Sequence, residues 1–171
     1  MNKLLSRNII RTILVLAVQL LLLKRNLTLG EFNYLHLTIY PIIIALLPYN
    51  LPRIATIIFG FSLGLFVDFF YDSLGVHAGA TTLIAYLRYY LLLWIVPREG
   101  YKALGLTAYA YGVAWFLTYV CLIFIIHLFV LYSLEAFSFV YFKEIFFRTV
   151  FSFIGSVFLI MFGSLIFNPK Y

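Results

Sequence analysis

Six apolar runs, separated by short breaks rich in charge, proline or glycine, organise this sequence. They are Ile9–Leu23, Phe32–Leu47, Ile54–Tyr71, Val76–Val96, Ala103–Tyr132 and Thr149–Phe167. A helix of about 20 mostly apolar residues crosses a bilayer, so the pattern predicts about six transmembrane helices. Arg11 interrupts the first run, and with Lys3 and Arg7 it is expected to snorkel to one surface. Pro41 lies inside the second. It removes one backbone hydrogen bond and predicts a bent helix there, and Pro48, Asn50 and Pro52 make the turn that follows. The fifth run, about 30 residues long, predicts a tilted or over-long helix. A polar and aromatic segment, 133–148, separates it from the sixth. No internal repeat or low-complexity tract is visible.

Composition sharpens this picture to one domain within the membrane. Of 171 residues, 65% are hydrophobic and 11% charged, and the mean hydropathy is +1.06. Ordinary soluble domains are about 45–50% apolar and about 25% charged. A water-soluble fold of this size could not hide so much apolar surface. The first run has no small-x-small cleavage site before Lys24 and Arg25, so it does not read as a signal peptide. The single Cys121 excludes an intrachain disulfide and a cysteine-rich metal site.

The net charge is +6, but the basic residues sit between apolar runs. That argues for orientation in a membrane rather than for nucleic acid. With a cytoplasmic N-terminus and six spans, the inside holds Lys3, Arg7, Arg11, Arg53, Arg98, Lys102 and Lys170. The outside holds Lys24, Arg25, Lys143 and Arg148, a seven-to-four excess inside. Both termini are therefore expected in the cytoplasm. Arg53, Arg98 and Lys102 are expected at the inner interface.

The richest stretch for function is Gly60-Phe-Ser-Leu-Gly64-Leu-Phe-Val-Asp68-Phe-Phe-Tyr-Asp72. Gly60, Gly64 and Asp68 recur every four residues, so they share one helix face. The glycines let a neighbouring helix approach closely. A carboxylate within a span costs about 2.5–3.5 kcal/mol at mid-membrane, so it usually faces protein or a wet cavity. Depth selects its partner. Asp68 lies about 6 Å below the outer surface and Arg88 about 21 Å, at 1.5 Å per residue. The expectation is therefore Asp68 with His77 or with backbone, and an Arg88 that snorkels toward the cytoplasmic interface. Tyr86, Tyr89, Tyr90 and Trp94 read as interface and packing residues.

Enzymatic readings find little support. His36, His77 and His127 lie in different segments, and no HExxH, Gly-x-Ser-x-Gly or P-loop pattern occurs. Tyr71-Asp72 is half of an intramembrane aspartyl protease signature, without its Gly-x-Gly-Asp partner. No metal or other cofactor is expected.

The stretch Gly60–Arg88, GFSLGLFVDFFYDSLGVHAGATTLIAYLR, resembles the rod-shape-determining MreD family. The matching positions are Gly64, Leu65, Asp68, Leu74, Gly75, Ala85, Tyr86 and Leu87, and the remainder agrees only in hydropathy. The resemblance implies an all-α fold like the substrate-binding subunits of energy-coupling-factor transporters. It implies a non-enzymatic scaffold in the bacterial inner membrane that supports lateral peptidoglycan synthesis and rod shape. Its direct partner would be a single-span MreC-like protein. MreB, RodA and an elongation transpeptidase would belong to the wider complex. Gly60, Gly64, Asp68, Gly75, His77 and Tyr86 are the expected packing residues. The competing expectation is a small-molecule-binding subunit of a transporter with the same fold, which needs a polar pocket on the outer side.

Overall fold

The computed structural model describes residues 2–23, 35–102, 105–137 and 139–166, with side chains from 9 to 21 in the first segment and 140 to 163 in the last. Residues 32–34, 103–104 and 167 of the expected spans lie outside the described residues. So do Lys24, Arg25 and Lys170, and the side chains of Lys3 and Arg7.

The described chain is all helical. α1 covers Asn2–Val18 and runs into a π-helical turn, Gln19–Leu23. A short α2, Ile42–Ala45, precedes α3, Arg53–Tyr71, and α4, Val76–Trp94. The single turn α5, Ala108–Tyr111, leads into α6, Val113–Ala136. A 3-10 turn, Phe139–Tyr141, leads into α7, Phe142–Ile166. Three helices, Arg53–Tyr71, Val113–Ala136 and Phe142–Gly163, are long and apolar enough to cross a membrane. α4 has the length of α3 but carries His77, Arg88 and three tyrosines, which lower its hydropathy.

α4 packs between α3 and α6, and α6 packs on α7. A Cβ placed on Gly79 of α4 would lie 3.0 Å from Leu134 Cδ1 near the end of α6, so these two helices run antiparallel. The α3–α4 turn and the α6–α7 connection therefore share one end of the bundle. The core gathers Tyr40, Ile44, Val67, Ile84, Tyr119, Ile123 and Phe124. The outer faces are apolar. Ile54, Ile58, Phe61, Leu65 and Phe69 line α3, and Phe147, Phe151, Ile154, Phe158 and Phe162 line α7, all exposed. A monomer in water rarely shows so continuous an apolar surface; a bilayer would cover it.

Two expected spans take a different form. Among the described residues of Phe32–Leu47, 35–39 carry no regular secondary structure and only Ile42–Ala45 is helical. Pro41 has no N–H to give to a preceding turn and disfavours the helical region for the residue before it. The freed amides are met by side chains instead. His36 N–H donates to Ser152 Oγ at 3.0 Å, Thr38 N–H to Ser156 Oγ at 2.9 Å, and Ile39 N–H to Gln19 Oε1 at 2.7 Å. Non-helical backbone at membrane depth needs such protein partners. The fifth span is broken at Gly112, whose φ of 88° and ψ of 153° separate α5 from α6. The polar 133–148 segment is largely helical, since α6 continues to Ala136 and α7 begins at Phe142.

Candidate functional site

Residues Asp72–Gly75 connect α3 to α4 through two left-handed positions, Asp72 with φ 53° and Gly75 with φ 81°. Gly75 is the N-cap of α4, where no cap side chain of its own is present. The first amides of any helix lack intrahelical partners. Here Asp68, one turn before the end of α3, supplies the acceptor. Its Oδ1 accepts from His77 N–H at 3.0 Å and from Ser73 Oγ–H at 2.5 Å, and its Oδ2 accepts from Ala78 N–H at 2.8 Å. The carboxylate is buried and joins the two helices, complementing the positive end of the α4 dipole. The partner is thus the backbone of His77, not its ring.

The His77 ring turns to a residue that sequence reasoning passed over. Its Nδ1 lies 2.7 Å from Tyr40 Oη, and the same hydroxyl lies 2.8 Å from His127 Nε2. Tyr40 and His127 are fully buried, and both imidazoles meet the Tyr40 ring edge-on. A phenol has one proton to give, so one imidazole accepts from Tyr40 and the other donates to it. His127 Nδ1 makes no hydrogen bond of good geometry among the described residues, although the backbone of Ala80 lies close enough to act on it. Beside this group, Gln19 Nε2 donates to Tyr71 Oη at 2.8 Å and Leu37 O at 3.2 Å, and Tyr132 Oη donates to Ser152 Oγ at 2.8 Å. Side chains from four segments, the π-helical turn, α4, α6 and α7, therefore hold the 35–40 strip to the bundle.

Gly60 and Gly64 face α4. A Cβ on Gly60 would lie 2.7 Å from Ala85 Cβ and 3.0 Å from Thr81 O. One on Gly64 would lie 2.7 Å from Ala78 N and collide with Ala78 Cα and Thr81 Oγ1. Tyr86 is not part of that seam. It is exposed, and its ring lies 4.4 Å from the Arg53 guanidinium carbon; its neighbour Ala85 is the residue that meets Gly60.

Arg88 departs from its expected interface position. It is buried at 3% exposure. It donates from Nη2 to Leu47 O at 2.6 Å and Pro48 O at 3.3 Å, and from Nε to Tyr119 Oη at 3.1 Å. The carbonyls beyond the end of α2 cannot be satisfied by helix, and the guanidinium fork serves them. The bent helix expected over Phe32–Leu47, followed by a proline turn, did not bring the end of that segment to Arg88. Arg98 and Lys102 are exposed, and Lys102 pairs with Glu99 at 2.6 Å.

A cavity of about 210 Å³ opens at the same end as Asp68, between α6 and α7. Tyr132, Glu135, Tyr141, Glu144, Ile145 and Arg148 line it. Arg148 bridges Glu135 at 3.3 Å and Glu144 at 3.2 Å. Among the described residues no group of three or more His, Cys, Asp or Glu side chains could hold a metal. Comparison of the chain with family models, curated proteins and solved structures gives no match.

Proposed function

We propose that this chain is a non-enzymatic membrane scaffold of the MreD kind. In this reading it lies in the bacterial inner membrane with six spans and both termini cytoplasmic, in a fold akin to the substrate-binding subunits of energy-coupling-factor transporters. It binds an MreC-like single-span protein and, with MreB, RodA and an elongation transpeptidase, supports lateral peptidoglycan synthesis.

One observation carries the proposal. The acidic residue that the Gly60–Arg88 resemblance singles out, Asp68, has both oxygens occupied by Ser73 and the first turn of α4. A carboxylate used as a helix cap organises a surface, whereas a general acid or base must reach a reacting atom. The test is affinity purification from native membranes. An MreC-like protein recovered in near-equal amount supports the scaffold, and its absence beside a co-purifying ATPase module refutes it. Reporter fusions at Lys3 and Lys170 should both read cytoplasmic.

The transporter-subunit reading has its own supporting observation, the cavity beside Glu135, Glu144 and Arg148. It is smaller than the roughly 300–1,000 Å³ usual for sites that enclose a small molecule, so it ranks second.

A further inference from the structure

The opposite end of the bundle carries a cation held in place without an acid. Arg53 is the first residue of α3, and its guanidinium carbon lies 4.4 Å from the Tyr86 ring centre, 4.7 Å from Tyr90 and 5.3 Å from Tyr89. Nη2 donates to Tyr90 Oη at 2.8 Å, and the Tyr86 and Tyr90 hydroxyls lie 3.4 Å apart. Three rings and one hydrogen bond thus fix the guanidinium by cation–π attraction. Among the described residues no carboxylate pairs with it. A guanidinium has five N–H donors, so the bond to Tyr90 and a weaker one to Tyr86 leave most of the fork open.

Position says what would complete the fork. Arg53 begins a helix long and apolar enough to cross a membrane, which puts it at head-group depth. Ile54 and Ile58, which follow Arg53 on α3, and Leu93 and Trp94, which follow Tyr90 on α4, are exposed, an apolar wall for acyl chains. The field favours an anion at this end. Among the described residues, Arg53, Arg98 and Lys102 stand here against Glu99, which pairs with Lys102, whereas toward the other end Asp68, Asp72, Glu135 and Glu144 outnumber Lys143 and Arg148. A planar fork matches phosphate oxygens in pairs. A choline or ethanolamine head group would set its own cation against Arg53; an anionic one would not.

We propose that Arg53, with Tyr86 and Tyr90, forms a head-group site for an anionic phospholipid in the leaflet at the α3 N-terminus. The site rests on the membrane reading of the chain alone, not on the scaffold proposal.

The test reconstitutes the full chain in mixed phosphatidylglycerol and phosphatidylcholine vesicles, extracts it gently, and counts retained lipids by native mass spectrometry. The wild type should retain phosphatidylglycerol in preference. Arg53→Gln should lower that preference by more than about fivefold, the most that one unsited basic residue near an anionic surface contributes. Tyr90→Phe, which keeps the ring and removes the hydroxyl bond, should give a smaller loss in the same direction. Arg98→Gln measures that unsited attraction and should lose clearly less than Arg53→Gln. No wild-type preference, an unchanged ratio in Arg53→Gln, or an Arg98→Gln loss as large as that of Arg53→Gln would each overturn the site. Should Arg53→Gln not fold, an unchanged ratio in Tyr90→Phe would overturn it equally. A missing MreC-like partner would not alter any of these ratios, so the two proposals fail separately.

Discussion

Asp68 Oδ2 accepts the backbone N–H of Ala78 at 2.8 Å, so a side chain of one helix caps the next. The N-cap position of α4 is Gly75, which has no side chain to offer. The cap comes instead from Asp68, ten residues before Ala78, and it can reach because Gly64 brings α3 hard against Ala78. The glycine face and the carboxylate are therefore one device: close approach permits the cap, and the cap fixes the turn.

That closeness predicts an unusual sensitivity to a single methyl group. Gly64→Ala would press a Cβ onto the Ala78 backbone, which cannot rotate away as a side chain can. Overpacking of this kind costs about 1–3 kcal/mol. Gly163 of α7, with nothing within 4 Å of an added Cβ, is the control. Gly163→Ala should be neutral or slightly stabilising, since glycine within a helix is worse than alanine by about 0.5–1 kcal/mol. Thermal unfolding in detergent should separate the two, and equal midpoints would remove Gly64 from the seam.

Tyr40→Phe removes one oxygen and strands two imidazole nitrogens, on His77 and His127. An unsatisfied buried polar group costs about 1–3 kcal/mol. The variant should melt well below the wild type, and limited proteolysis should cut first within the 35–40 strip that the hydroxyl pins. An unchanged melt with an uncut strip would show that the two histidines do not depend on Tyr40.

Arg88→Lys keeps the charge and loses the fork. A point-charge ammonium cannot serve Leu47 O, Pro48 O and Tyr119 Oη together, so at least one buried group loses its donor. Stability should fall by about 1–3 kcal/mol, read as a lower melting midpoint. A lysine variant as stable as the wild type would mean the carbonyl bonds contribute nothing.

Much of the α3–α4 hairpin was legible in the sequence, because a four-residue period of Gly60, Gly64 and Asp68 on an apolar helix has few alternatives. Depth counting also separated Asp68 from Arg88 correctly. The strip around Tyr40 was not legible. Its backbone bonds are made by Gln19, Ser152 and Ser156, two of them more than a hundred residues away in sequence, and local apolarity cannot distinguish such a strip from a helix. Arg88 was misplaced because its partners, Leu47 O, Pro48 O and Tyr119 Oη, are distant in sequence and are brought to it only by the fold. Tyr86 was read both as an interface residue and as a packing residue; it is exposed beside Arg53, and Ala85 takes the place on the seam.

The central claim is that Asp68 organises the bundle and performs no chemistry. On the scaffold proposal, the direct measurement compares Asp68→Asn and Asp68→Leu for membrane abundance and for restoration of cell shape in cells lacking the protein. Asn keeps one acceptor oxygen but turns its NH2 against the donors that the other oxygen served; Leu leaves all of them unsatisfied, at about 1–3 kcal/mol for each buried group. Asn should therefore lose some abundance and shape together, and Leu should lose more of both. Two abundant, folded and equally inactive variants would contradict the account, because only a carboxylate that reacts or carries a proton would fail in that way.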